Sequence, residues 1–185
     1  MKLRLILNRI YIKYSLLRFF IYRYLFGFHN ATKLFNYFNK KSVIPVLKKY
    51  GAIIGQDCDI ETGLKFHNCR SFLNLIIGKN CHIGKECFFD LRDKIIIGDN
   101  CVISMQTTFI THIDMEKSPL SKYFPSDKKP VIIENGVYIG AKSTILMGIK
   151  IKQNSIVAAG SVVNNNIDTN SLVGGVPAKE IKKIK

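Results

Sequence analysis

The sequence predicts an all-β core, a parallel β-helix of about five to six triangular coils, on three observations. An aliphatic or aromatic residue returns every six positions through most of the stretch from Ile54 to Val157, followed by Gly at Ile54, Ile77, Ile83, Ile97 and Ile139. The fifth position of that frame is kept small, as Cys58, Cys81, Cys87, Cys101, Val137, Ser143, Ser155 and Ser161. The rhythm lapses once at length, from about Thr111 to Pro130, and then resumes.

Residues 1–50 precede the repeat and have another character. They hold 11 of the 28 Lys and Arg and no Asp or Glu, so the net charge of +15 is mostly theirs. Leu3, Leu7, Ile10, Tyr14, Leu17, Ile21, Tyr24 and Phe28 step by alternating fours and threes, which predicts a helix over residues 1–29 with one apolar stripe and the bases off it. Two partners suit such a stripe. One is the protein itself, the helix packing on its own trimer or capping the solenoid's open end; the other is an anionic membrane surface. Lys2, Arg4, Arg9, Lys13, Arg18 and Arg23 interrupt the segment too often for a signal or transmembrane span. No recognition motif accompanies the charge, so a nucleic-acid partner is not expected. Residues 30–50 read as a second short helix and a linker, with Pro45 as punctuation.

From residue 51 the hexads begin at Ile54 and Ile60, pass less cleanly through Phe66 and Phe72, and continue at Ile77, Ile83, Phe89, Ile97, Ile103 and Phe109. Beyond the lapse they run from Ile133 through Ile139, Ile145 and Ile151 to Val157. A period of six has a physical cause if each hexad supplies a short strand and a tight corner. Three hexads then close a triangle, and stacked triangles satisfy one another's backbone N–H and C=O groups in parallel ladders. The large residue points inward, and the Gly beside it suits close approach or unusual φ and ψ.

The cysteines fit the same frame as small interior residues rather than as reactive thiols. Their odd number and the absence of CxxC spacing argue against disulfides and structural zinc, and point to a reducing, cytoplasmic compartment. No metal is expected.

The segments "VAAGSVV" and "GGVPAKEI" near the C-terminus, with "DLRDKIIIGDNCVIS" and "TFITHID" before the lapse, resemble the hexapeptide-repeat acyltransferases. That group includes maltose, galactoside and capsular-polysaccharide O-acetyltransferases, and the likeness spans about residues 51–183. It implies a left-handed β-helix over 51–172 with a loop at 111–130, a tail at 173–185, a homotrimer, and acetyl-CoA as donor. It also implies a sugar or polysaccharide-precursor acceptor and a His general base beside the loop. A flat solenoid wall encloses nothing, and the lapse at 111–130 supplies the excursion that an acyl-transfer site needs.

His112 is the expected base, since an imidazole can take a hydroxyl proton at neutral pH and return it to the departing thiolate. The bland alternative is a His that caps a corner. Maltose and galactoside acetyltransferases have their His at the position of Asp114, whereas His112 matches a capsular branch with a Thr-His-Asp loop. Asp114 or Asp90 is expected to orient the imidazole; Asp90 also stands near where the family places an acceptor-binding Asn. For the donor, the resemblance assigns Ala141 and Ala159 to the pantetheine groove, and Lys179 and Lys182 to the nucleotide phosphates. Asn164 and Asn165 replace the usual Thr-Lys, with the loss of one positive charge.

Three other readings compete. N-acetylation of an amino sugar fits the same residues. A noncatalytic β-helix scaffold would bind CoA weakly and a partner tightly. A γ-carbonic-anhydrase-like zinc enzyme needs two closely spaced His, but His67, His82 and His112 are separated by 15 and 30 residues. With the basic helix on an anionic bilayer, the protein would sit at the inner face of the membrane.

Overall fold

The computed structural model describes residues 2–184; Met1 and Lys185, the outer ends of the expected extension and tail, lie outside the described residues. Three sheets form the walls of a left-handed parallel β-helix of about six turns. The first contains Ile53–Ile54, Leu75–Ile77, Ile95–Ile97, Val131–Ile133 and Lys150–Ile151. The second runs through Asp59–Ile60, His82–Ile83, Val102–Ile103, Tyr138–Ile139 and Ile156–Val157 to Ser171–Gly174. The third contains Lys65–His67, Phe88–Asp90, Thr108–Phe109, Thr144–Ile145 and Val162–Val163.

The hexad residues stack wall by wall. Ile54, Ile77, Ile97, Ile133 and Ile151 lie in one register, and Ile60, Ile83, Ile103, Ile139, Val157 and Val173 in the next. In the third wall the rings of Phe66, Phe89 and Phe109 form a stacked column with centroids 5.8 and 5.3 Å apart. Apolar area is thereby removed from water continuously along the axis, which holds coils whose strands are only two to four residues long. Phe72 departs from the expected frame. It sits in an insertion between the strands ending at His67 and beginning at Leu75, and packs with Phe19, Phe28, Phe35 and Phe66.

Two positions make the corners. At the second, a Cβ on Gly84 would stand 2.5 Å from the Met105 nitrogen, and one on Gly140 would stand 2.4 Å from the Ala159 nitrogen, closer than atoms can approach. The fourth position turns the chain through left-handed φ, at Asn80, Glu86, Asn100, Gln106, Lys142 and Asn154 as well as Gly160. The fifth position is interior as expected at Cys81, Cys87, Cys101, Ser143, Ser155 and Ser161. Cys58, in the first coil, is only half-buried.

The extension comprises α1 (Lys2–Thr32), a 3-10 turn (Lys33–Asn36) and α2 (Lys40–Lys49). Gly27, at φ 81 and ψ 165, breaks α1 near its end. Val43, Val46 and Leu47 of α2 are fully buried, and this packing keeps Pro45 inside the helix instead of at its edge. Lys40 of α2 lies 2.6 Å from Asp59 and also pairs with Glu61, tying the extension to the first coil. Before the Gly27 break the buried face of α1 is Ser15 and Phe19, with Leu16 and Tyr22 partly covered, and after it Ala31 and Thr32 are buried. The alternating stripe instead faces outward along most of its length, with Leu3 70%, Leu7 56%, Ile10 58%, Tyr14 55% and Tyr24 81% exposed. This helix is apolar on several sides, and periodicity alone does not tell which side packs.

Candidate active site

The third wall delivers Asp90 as the last residue of its strand, stacked on His67 in the coil before. Two residues after the Thr108–Phe109 strand in the next coil comes Thr111, whose backbone N–H donates to Asp90 Oδ2 at 2.9 Å. His112 follows and places Nδ1 2.5 Å from the same oxygen. Asp90 is 1% exposed and the His112 side chain 17%. Burial by itself would push the Asp90 carboxyl up, but the bonds from His112 and from the Thr111 amide and hydroxyl hold it below the ordinary carboxylate range. A carboxylate there accepts from Nδ1–H, which leaves the Nε2 lone pair free to accept. The Asn68 amide reaches that Nε2 at 3.2 Å.

The 111–130 excursion is a hairpin rather than a structureless loop. His112–Ile113 pairs antiparallel with Asp127–Lys128, and Pro119–Lys122 forms a 3-10 turn at its far end. Asp114 lies in this hairpin. It accepts from the Glu116 amide at 3.1 Å and from Ser126 Oγ at 3.2 Å, and stands 3.9 Å from Arg92. Of the two carboxylates expected near His112, the structure therefore brings Asp90 into contact and engages Asp114 elsewhere.

Two recesses open beside this pair. A smaller one of about 240 Å³ is walled by Arg92, His112, Ile113, Ser126, Asp127 and Lys128. A larger one of about 740 Å³ is walled by Phe28 and His29 of α1 together with His67, Asn68, Arg70 and Arg92. Sequence reasoning missed Asn68 and both Arg. Asn68 opens the insertion that falls outside the hexad frame, where the repeat gives no guide, and its backbone takes a left-handed φ of 53.

The residues expected to hold a donor stand at a different corner. Ala141 and Ala159 occupy successive coils at the turn between the second and third walls, bonded through Gly160 N–H to Ala141 O at 2.8 Å. Asn164 and Asn165 are exposed beyond the Val162–Val163 strand, with 3.1 Å between their amides. The tail folds back as Lys179–Lys183, antiparallel to Ser171–Gly174, and exposes both Lys179 and Lys182. Lys183 pairs with Glu180 at 3.0 Å. Among the described residues no group of three or more His, Cys, Asp or Glu is arranged to hold a metal ion.

The family model described as the hexapeptide repeat of succinyl-transferase matches residues 74–106 and 130–165. Over 166 residues the chain is 30% identical to a galactoside O-acetyltransferase of Lactococcus lactis, covering 83% of this chain and 76% of that protein. The chain belongs to the hexapeptide-repeat acetyltransferases. Solved members of the family share its fold. A galactoside acetyltransferase in complex with coenzyme A superposes with a TM-score of 0.74 at 25% identity, over 94% of this chain and 82% of that one. A hexapeptide-repeat acetyltransferase from Vibrio cholerae complexed with acetyl coenzyme A gives 0.70 at 27% identity, over 82% of each chain. In this hexapeptide-repeat acetyltransferase the imidazole and its buried carboxylate thus sit where one coil meets the excursion.

Proposed function

We propose that this acetyltransferase moves an acetyl group from acetyl-CoA to a sugar hydroxyl of a surface polysaccharide or its precursor, with His112 as general base. The observation that carries this reading is the His112–Asp90 pair, in which a buried carboxylate holds Nδ1 and leaves Nε2 as an acceptor beside an open recess. An acceptor hydroxyl takes the place of the Asn68 amide at Nε2 and gives up its proton as its oxygen attacks the thioester carbonyl. The tetrahedral intermediate collapses, the C–S bond breaks, and the imidazolium returns the proton to the thiolate. Asp90 stabilises the imidazolium during the transfer. The neighbours titled as coenzyme A and acetyl coenzyme A complexes support the choice of donor, and the resemblance of the Thr111–His112 pair to the capsular branch supports the choice of acceptor.

The site is completed between copies. His112 stands at the corner between the third and first walls, whereas Ala141 and Ala159 stand between the second and third. One wall separates them, on the order of 15 Å at ~3.3 Å per residue. This separation supports a homotrimer in which the His112 of one copy faces a neighbour's alanine corner, with that neighbour's Lys179 and Lys182 on the nucleotide phosphates.

The extension is assigned to an anionic membrane surface. Its outward stripe is flanked by Arg4, Arg9 and Lys13, and residues 1–50 hold no acid to oppose lipid phosphate. No helix among the described residues is long and apolar enough to cross a membrane. Five free cysteines suit the reducing, cytoplasmic side.

The test replaces His112 with Ala in the full chain and follows thiol release from acetyl-CoA with sugar acceptors. Transfer is expected to fall ~10²–10⁴-fold. An undiminished rate would remove His112 from the reaction.

A further inference from the structure

We propose that the larger recess is a subsite for an anionic group, phosphate or carboxylate, carried by the acceptor. The proposal rests on the acetyl-transfer reading and adds the charge class of its substrate. The recess of about 740 Å³ is walled by Arg70 and Arg92 beside Phe28, His29, His67 and Asn68, and none of its lining residues is acidic. Among the described residues Arg70 has no ion-pair partner, and Arg92 has only a contact of 3.9 Å to Asp114 with both side chains nearly half exposed. Two planar guanidinium groups with unspent donors, facing one concavity, match paired oxygens of phosphate or carboxylate in bidentate geometry.

The recess is coupled to the reacting centre at two points. Asn68 lines it and at the same time touches His112 Nε2 at 3.2 Å. Arg92 lines both it and the smaller recess that contains His112. An acceptor held by its charged group in the larger recess can therefore reach Nε2 with a neighbouring hydroxyl. The remaining wall comes from Phe28 and His29, just past the Gly27 break in α1. A phosphate in this recess would thus lie beside the helix assigned above to the bilayer.

The test measures direct binding of three probes to the full chain, by ligand-observed NMR or calorimetry: a methyl hexoside, the matching hexuronate and the hexose 1-phosphate. The same set is repeated on Arg70→Gln and Arg70→Lys. Wild type is expected to bind at least one charged probe about tenfold more tightly than the neutral one, the worth of one charge-assisted contact. Arg70→Gln should collapse that ratio toward one, and Arg70→Lys should recover part of it. A preference confined to the 1-phosphate assigns phosphate as the group, and one confined to the uronate assigns carboxylate. Equal binding of all three probes overturns the proposal, as does a preference that survives Arg70→Gln. Acetyl transfer to the same probes is read separately. A charged preference without transfer to any hydroxyl would overturn the O-acetylation reading and leave the subsite standing.

Discussion

Nδ1 of His112 and Oδ2 of Asp90 lie 2.5 Å apart, although 22 positions separate them in the chain. The contact exists because Asp90 ends one strand of the third wall and His112 follows the strand paired to it in the next coil. Changing Asp90 to Asn keeps the shape but offers an amide that can donate to Nδ1 and stabilise the wrong tautomer. The expected outcome is a fall in kcat of ~10²–10⁴-fold with a small change in KM, measured by steady-state transfer. A fall confined to KM would assign Asp90 to acceptor binding instead.

The same carboxylate makes stability depend on pH. Its folded pKa is depressed, so its contribution is fully present above the ordinary carboxylate value of about 3.9 and is lost as pH falls through the lower folded value. Urea unfolding of wild type and Asp90→Asn should therefore differ most near neutrality and converge in acid. A gap that widened in acid would contradict the assignment.

Two glycines separate steric from conformational constraint. A Cβ at Gly140 would lie 2.4 Å from the Ala159 nitrogen, whereas one at Gly160 would meet nothing within 4 Å but would sit at φ 70. Gly140→Ala should lose about 1–3 kcal/mol to the backbone clash. Gly160→Ala should lose about 1–2 kcal/mol to its left-handed backbone, and unlike Gly140→Ala it should be rescued by Asn, which tolerates that conformation. Thermal unfolding of Gly140→Ala, Gly160→Ala and the Asn counterpart at each position checks the distinction.

Deleting residues 1–29 should release the protein from vesicles containing anionic phospholipid. Vesicles of neutral phospholipid should retain little of either form, because the flanking bases supply much of the attraction. Co-sedimentation at low and high salt reads this directly. Full-length protein that stayed in solution with anionic vesicles at low salt would end the membrane assignment.

The solenoid was legible because a repeat states the same constraint many times. Each of Ile77, Ile97 and Ile133 needs the same interior environment, so their spacing discloses the coil. Single events were harder to read. Phe72 kept the hexad spacing while serving the aromatic cluster under α1, and the apolar residues of α1 did not reveal that Ser15 and Phe19 were the packed face. His112 was marked by its place at the lapse. That Asp90 rather than Asp114 touches it depends on which coil stacks on which, a relation between distant positions that short-range spacing does not express. Arg70 belongs to no motif and Arg92 stands in the DLRDK run without an assigned role, and their convergence appears only once the insertion after His67 is folded.

The walls close behind the excursion as though it were absent: Ile95 pairs with Val131 and Phe109 with Ile145, each pair joining a residue before it to one after it. The ladder bonds of neighbouring coils thus pass the hairpin by. Mutational drift between Ile113 and Lys129 is therefore insulated from the prism's cohesion, which frees that segment to diversify in length and chemistry while the scaffold beneath it stays put.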